Sequence, residues 1–126
     1  MLDNLGNVAL LRREYARVRG LLNEALALGR EVGDTSLTAS AILRLGTLAL
    51  WQADHSTAGT LYQESLAMYH DLAHRPNIAW TLYHLADVTR LQGDLAAARA
   101  ILEEERGVAA TDRGQVELGG HARQAR

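Results

Sequence analysis

Cysteine, lysine and phenylalanine are absent from this 126-residue chain, and proline occurs once. Without cysteine there can be no disulfide and no thiolate metal site, and the redox compartment stays open. β-branched residues are sparse, while leucine and alanine, both strong helix formers, dominate the composition. An all-α chain is therefore expected. No run approaches the ~18 consecutive apolar residues of a spanning helix. The opening MLDNLGNVALLRREY carries an early acid and no unbroken apolar core, so it does not read as a signal peptide. A cytoplasmic location is the default expectation. The formal charge of −2 gives no overall pull toward nucleic acid or an anionic membrane. Every basic side chain is arginine, which fits a GC-rich, bacterial genome.

What the chain does have is an echo of itself. Leu5-Gly6, Leu45-Gly46 and Leu85-Ala86 recur every 40 residues without any insertion. Leu2, Ile42 and Leu82 precede those pairs by three residues, and Val8, Leu48 and Val88 follow the Gly or Ala by two. The same register joins Leu11/Trp51/Leu91, Val18/Ala58/Ala98, Leu21/Leu61/Ile101, Leu22/Tyr62/Leu102 and Glu24/Glu64/Glu104. A fixed period of this length marks an array in which one supersecondary unit stacks on copies of itself.

Each unit reads as a helical hairpin. In the second, Ala41, Ile42, Leu45, Leu48 and Ala49 form one apolar stripe, and Ala58, Leu61, Tyr62, Ser65, Leu66 and Tyr69 form another. Between them the helix should stop near Ala53, with Asp54 capping its successor. Gly93-Asp94 punctuates the same corner of the third unit, glycine suiting a left-handed C′ position. The first unit has Arg13-Glu14 there, a weaker turn signal. Gly33-Asp34-Thr35-Ser36 and His74-Arg75-Pro76-Asn77 separate the units, and Pro76 suits a first helical turn. Six helices are expected, near 2–13, 16–32, 36–52, 56–73, 77–92 and 95–106. The units span about 1–34, 35–74 and 75–106, followed by a flexible or partly helical tail over 107–126.

These residues resemble the tetratricopeptide repeat. Leu82, Leu85-Ala86, Gly93-Asp94-Leu95, Ala98 and Leu102 carry the pattern best. Ile42, Leu45-Gly46, Asp54-His55, Ala58, Tyr62 and Ser65 carry it in the second unit, and Leu2, Leu5-Gly6, Glu14-Tyr15, Val18, Leu22 and Ala25 in the first. The resemblance covers residues 2–106 and implies three stacked helix-turn-helix hairpins in a short right-handed solenoid. The repeat is usually 34 residues long. The 40-residue spacing, with sequence such as EALALGREVGD, is similar to repeat regions of large bacterial transcription activators and signalling ATPases. Nothing in the chain matches the ATPase or DNA-binding parts of such proteins.

The resemblance implies a protein- or peptide-binding scaffold, part of a bacterial regulator, with no catalysis and no cofactor. Partners would include neighbouring repeats of a parent chain or a second copy, because neither end of the stack has an evident capping helix. An effector- or signal-peptide-sensing region of a transcriptional regulator is the alternative. In this family the first helix of each unit lines the concave groove. Transferred by position, this points to Asp3, Asn7 and Leu10, then to Ser40, Leu43, Arg44, Thr47 and Leu50. The third unit adds Trp80, Tyr83, His84, Asp87 and Arg90. The candidate partner-binding set is Asn7, Arg44, Thr47, Trp80, Tyr83, His84, Asp87 and Arg90. Trp80 and Tyr83 suit anchoring, and Arg44, His84 and Arg90 could pair with an acidic group. The plain alternative is that Trp80 packs on the preceding hairpin and the charges form a solvated face. The lysine- and asparagine-based clamp that some members use on chaperone tails is disfavoured, since its positions hold Asp3, Arg44, Trp80 and His84, and only Asn7 matches.

Other chemistry is thin. His70 and His74 have the i, i+4 spacing of a helical metal pair, but Asp71 stands where a zinc protease needs Glu, and a third ligand is missing. A metal-dependent hydrolase on this pair is a remote reading, and no metal site is expected. Glu103-Glu104-Glu105-Arg106 reads as an exposed helix end. Arg12, Arg13, Arg17 and Arg19 form a small basic patch around Glu14, without the interleaved aromatics of a nucleic-acid platform. No nucleic-acid or membrane partner is expected.

Overall fold

The computed structural model describes the backbone of residues 2–109 and the side chains of residues 11–109. Among these residues the fold is entirely helical: α1 (Leu2–Val32), α2 (Thr35–Trp51), α3 (His55–Asp71), α4 (Arg75–Leu91) and α5, which occupies residues 95–109. Successive helices from α2 onward begin 20 residues apart, at 35, 55, 75 and 95, so the 40-residue period is two such steps.

Four corners share one local chemistry. The residue before each cap takes a left-handed conformation: Gly33 at φ 72°, Ala53 at 61°, Ala73 at 53° and Gly93 at 91°. The cap's own N–H then turns back to a carbonyl five residues earlier, as in Asp34 to Gly29 at 2.8 Å and Asp54 to Ala49 at 2.9 Å. Its side chain accepts the N–H three residues on. Asp34 takes Leu37, Asp54 takes Thr57, His74 takes Asn77 and Asp94 takes Ala97, at 3.0, 3.2, 3.3 and 3.0 Å. Pro76 sits in the first turn of α4, where no N–H is needed.

The first unit departs from the expected hairpin. The helices anticipated at 2–13 and 16–32 are a single 31-residue helix, with no corner at Arg13-Glu14. The physical reason is local. Glu14 is a methylene longer than the aspartates that cap three of the four other corners, and glutamate is not among the side chains favoured at an N-cap. Glu14 instead accepts from Arg17, one turn on, at 2.9 Å. Two hairpins therefore follow one long helix, in place of three hairpins. The sixth anticipated helix is α5, which runs three residues past the expected boundary at 106. Residues 110–126 of the anticipated tail lie outside the described residues.

Packing follows the order of the chain: α1 on α2, α2 on α3, α3 on α4. Ala39, Leu43, Ala58, Tyr62, Tyr69, Ile78, Leu82 and Val88 form the buried core, with Ile101 and Val108 of α5 packed against it. Close approach depends on the small residue of the Leu-Gly pair. A Cβ on Gly46 would stand 3.1 Å from two ring carbons of Tyr62 and 3.3 Å from the Cβ of Leu61. Gly29 does the same for the first interface, where a Cβ would meet Thr38 Oγ1 at 2.6 Å. Buried polar groups are matched: Ser65 donates to the Ala39 carbonyl at 3.0 Å and Thr81 to the Asn77 carbonyl at 2.6 Å.

Candidate peptide-binding groove

Helical spacing on α2 sends Ser40, Arg44, Thr47 and Trp51 to one side, and that side is the wall of a groove of about 520 Å³. Val18 and Leu22 of α1 form the opposite wall, Asn77 and Trp80 of α4 close the far end, and Leu43, Leu48 and Tyr69 complete the lining. The groove exists because α1 and α4 both pack beside the α2–α3 pair and leave a trough between them. Trp51 is 65% exposed and Trp80 43% exposed, so both indoles offer large apolar surface to solvent. They are the two tryptophans of the chain. Arg44 is exposed and is the single charged residue of the lining.

Polar contacts set the walls. Thr47 Oγ1 and the Tyr62 hydroxyl lie 2.9 Å apart, linking the groove surface to the core. Burial pushes the Tyr62 hydroxyl above its ordinary pKa; the Thr47 hydrogen bond opposes the rise, and the Asp87 charge adds to it. Tyr69 is raised by burial too, against a Ser40 hydrogen bond and the Arg44 charge. Both phenols are therefore neutral hydrogen-bonding groups at physiological pH.

His84 ties the groove to the next surface. Its ring centroid lies 3.8 Å from that of Trp80, 5.3 Å from Tyr83 in an edge-to-face arrangement, and 6.0 Å from Tyr62. Burial in this aromatic nest lowers its pKa, with Asp87 pulling the other way. A neutral imidazole packed against Trp80 orients that indole; it is not a cation poised for an acid.

The expected binding residues thus divide. Arg44, Thr47 and Trp80 come together in the groove, with His84 behind Trp80. Tyr83, Asp87 and Arg90 line a separate depression of about 180 Å³, completed by Ala86 of α4 and by Ala98 and Leu102 of α5. There Arg90 is paired with Asp87 at 2.7 Å, an exposed pair of small energetic value. Of the wider set, Ser40 and Leu43 line the groove, whereas the side chains of Asp3, Asn7 and Leu10 lie outside the described residues. Position-by-position transfer passed over Trp51, Val18, Leu22, Tyr69 and Asn77. One signal for Trp51 was present, since it replaces the leucine of Leu11 and Leu91 in the register.

The histidine pair has no helical geometry. α3 ends at Asp71, so His70 is in its last turn while His74 lies beyond the corner and caps α4. The His74 ring packs 5.8 Å from Tyr69 and its Nδ1 accepts from Asn77. Among the described residues no three His, Cys, Asp or Glu side chains group as metal ligands. No helix there is long and apolar enough to cross a membrane.

The tetratricopeptide repeat family matches residues 37–109, which take in α2, α3, α4 and α5 and leave α1 outside. No curated protein matches the chain. Paired helices at a fixed step, small residues at each crossing and a match over more than half the chain agree: the protein belongs to the tetratricopeptide repeat family.

Proposed function

We propose that the protein is an interaction scaffold whose α1–α2–α4 groove holds a peptide segment carrying a bulky apolar side chain next to a carboxylate. Repeats of this family mediate protein–protein interaction. The observation that carries the finer reading is the groove's own chemistry: two exposed indoles and aliphatic walls around one arginine, with no acid in the lining. An apolar anchor would sit between Trp51 and Trp80 while Arg44 meets the carboxylate in a forked pair. Binding needs no cofactor and no bond-making step. We place the scaffold in a bacterial, cytoplasmic regulatory protein, built as a right-handed stack of units at about 1–34, 35–74 and 75–106. Sequence resemblance supports that placement.

Both tryptophans line the groove, so their emission reports occupancy directly. Titrating the protein with short acidic-aromatic peptides should shift that emission. Trp80→Ala should abolish most of the affinity, and Arg44→Ala should weaken binding and flatten its dependence on salt. Unchanged affinity in Trp80→Ala would remove the groove from consideration. A second reading, sensing of a small effector, draws on the groove volume, which falls within the ~300–1,000 Å³ usual for small-ligand sites. Emission changes with small metabolites, and none with peptides, would favour it.

A further inference from the structure

We propose that the α4–α5 face bearing Tyr83, Asp87 and Arg90 is an interface between two copies of this chain, paired about a two-fold axis. The inference stands apart from the groove, because the depression on this face shares no lining residue with it. Tyr83, Ala86, Asp87 and Arg90 follow the i, i+3, i+4, i+7 spacing of one helix face, with Ala98 and Leu102 of α5 beside them. In the second unit the register positions of Tyr83 and Leu102 hold Leu43 and Tyr62. There α4 packs on α3, the His84 ring lies 6.0 Å from that of Tyr62, and Leu43 and Tyr62 are 8% and 0% exposed. Their equivalents in the third unit are more open, Tyr83 at 56% exposure and Leu102 half-buried. The small Ala86 and Ala98 between them let another helix approach closely.

The charges on this face select the occupant. Asp87 and Arg90 stand where the second unit has Thr47 and Leu50. An ordinary apolar repeat helix would leave that acid and base without matching groups, whereas a second copy supplies both. Two α4 helices lying antiparallel, with the axis between these residues, set Asp87 of each copy against Arg90 of the other. The pair within each copy uses Oδ1 and one guanidinium nitrogen at 2.7 Å, and the remaining N–H donors are free to reach the facing carboxylate. One exposed pair contributes little, but acids and bases alternating around the axis form a network. Tyr83 and Leu102 flank that network and shield it from water. A closed two-fold dimer requires a face that complements itself, and this one does.

Light scattering across a wide concentration range should report a dimer. Asp87→Arg leaves only guanidinium groups around the axis and Arg90→Asp only carboxylates, so each variant alone should be a monomer. Both side chains are substantially exposed, so helix content and urea midpoint should stay near those of the unaltered chain. Mixing the two variants should restore a dimer containing one copy of each, resolved by native mass spectrometry. Asp87→Arg with Arg90→Asp in one chain should restore the homodimer. Tyr83→Ala should weaken the dimer by about tenfold, as for an aromatic at an interface centre. A wild-type monomer at all concentrations would overturn the proposal. So would a dimer indifferent to the single charge changes, or variants that stay monomeric when mixed. Growth beyond two copies would overturn it too, because it means head-to-tail stacking. Peptide titration through Trp51 and Trp80 on the same variants reports the groove separately, so failure of either reading is distinct from failure of the other.

Discussion

Residues 16–32 of α1 and helix α3 occupy the same place in the 40-residue register, yet they are buried differently. Ala58, Tyr62 and Ser65 are wholly buried, whereas their equivalents Val18, Leu22 and Ala25 are only half-buried. Composition does not account for this, because Val18 and Leu22 are as apolar as the residues they match. The neighbours do. α3 is packed by α2 on one side and α4 on the other, while this part of α1 has α2 alone. In a repeat array each unit's stability comes largely from the interfaces beside it. One missing corner, at Arg13-Glu14, removes a neighbour and exposes a face that is otherwise interior.

The largest test of that contrast is truncation at matched positions. Tyr62→Ala should cost about 3–5 kcal/mol in urea unfolding, as large core truncations do, since a Tyr62-sized void borders α2 and α4. Leu22→Ala should cost well under half as much, because its site is already open to water. Equal losses at the two positions would break the comparison. At the groove formed beside α1, Trp80→Ala should weaken peptide binding by about 2 kcal/mol, roughly thirtyfold, as expected of a central aromatic anchor. Fluorescence through the remaining Trp51 measures it. The corners provide a third comparison. Asp94→Ala should lower stability by about 1 kcal/mol through loss of the cap to Ala97. Glu14→Ala, where no corner forms, should change the unfolding midpoint little.

Acid provides the smallest effect. His84 titrates below its ordinary 6.5 in the folded protein because it is buried among aromatic rings. As pH falls through 6.5 the unfolded chain gains a proton that the folded one refuses, so stability declines. The decline should end below the folded pKa, where both states are protonated. Urea midpoints at pH 7.5 and 5.5 measure the slope, and His84→Gln should remove this component of it.

Much of the fold was legible in the sequence, for identifiable reasons. Gly33-Asp34, Asp54, Pro76 and Gly93-Asp94 announced four corners because cap and left-handed chemistry act within a few residues. Gly46 announced a close helix crossing because a repeated small residue between large ones has few other uses. The site was legible only in part. Arg44, Thr47 and Trp80 line one groove, while Tyr83, Asp87 and Arg90 line a separate depression. Position within a repeat gives the face of a helix and not which trough between helices that face opens onto. Trp51 and Leu22 entered the groove through packing between units, which no single helix pattern reports.

The sequence by itself determined the helical state, the 40-residue period, the capped corners and the small residues at crossings. Each depends on interactions within a few residues, or on a period that repeats them. Only the tertiary structure decided that residues of four helices meet in one groove around Trp51, Trp80 and Arg44, and that Tyr83, Asp87 and Arg90 line another depression. Those outcomes depend on which neighbour covers which face, and a one-dimensional pattern leaves that choice open.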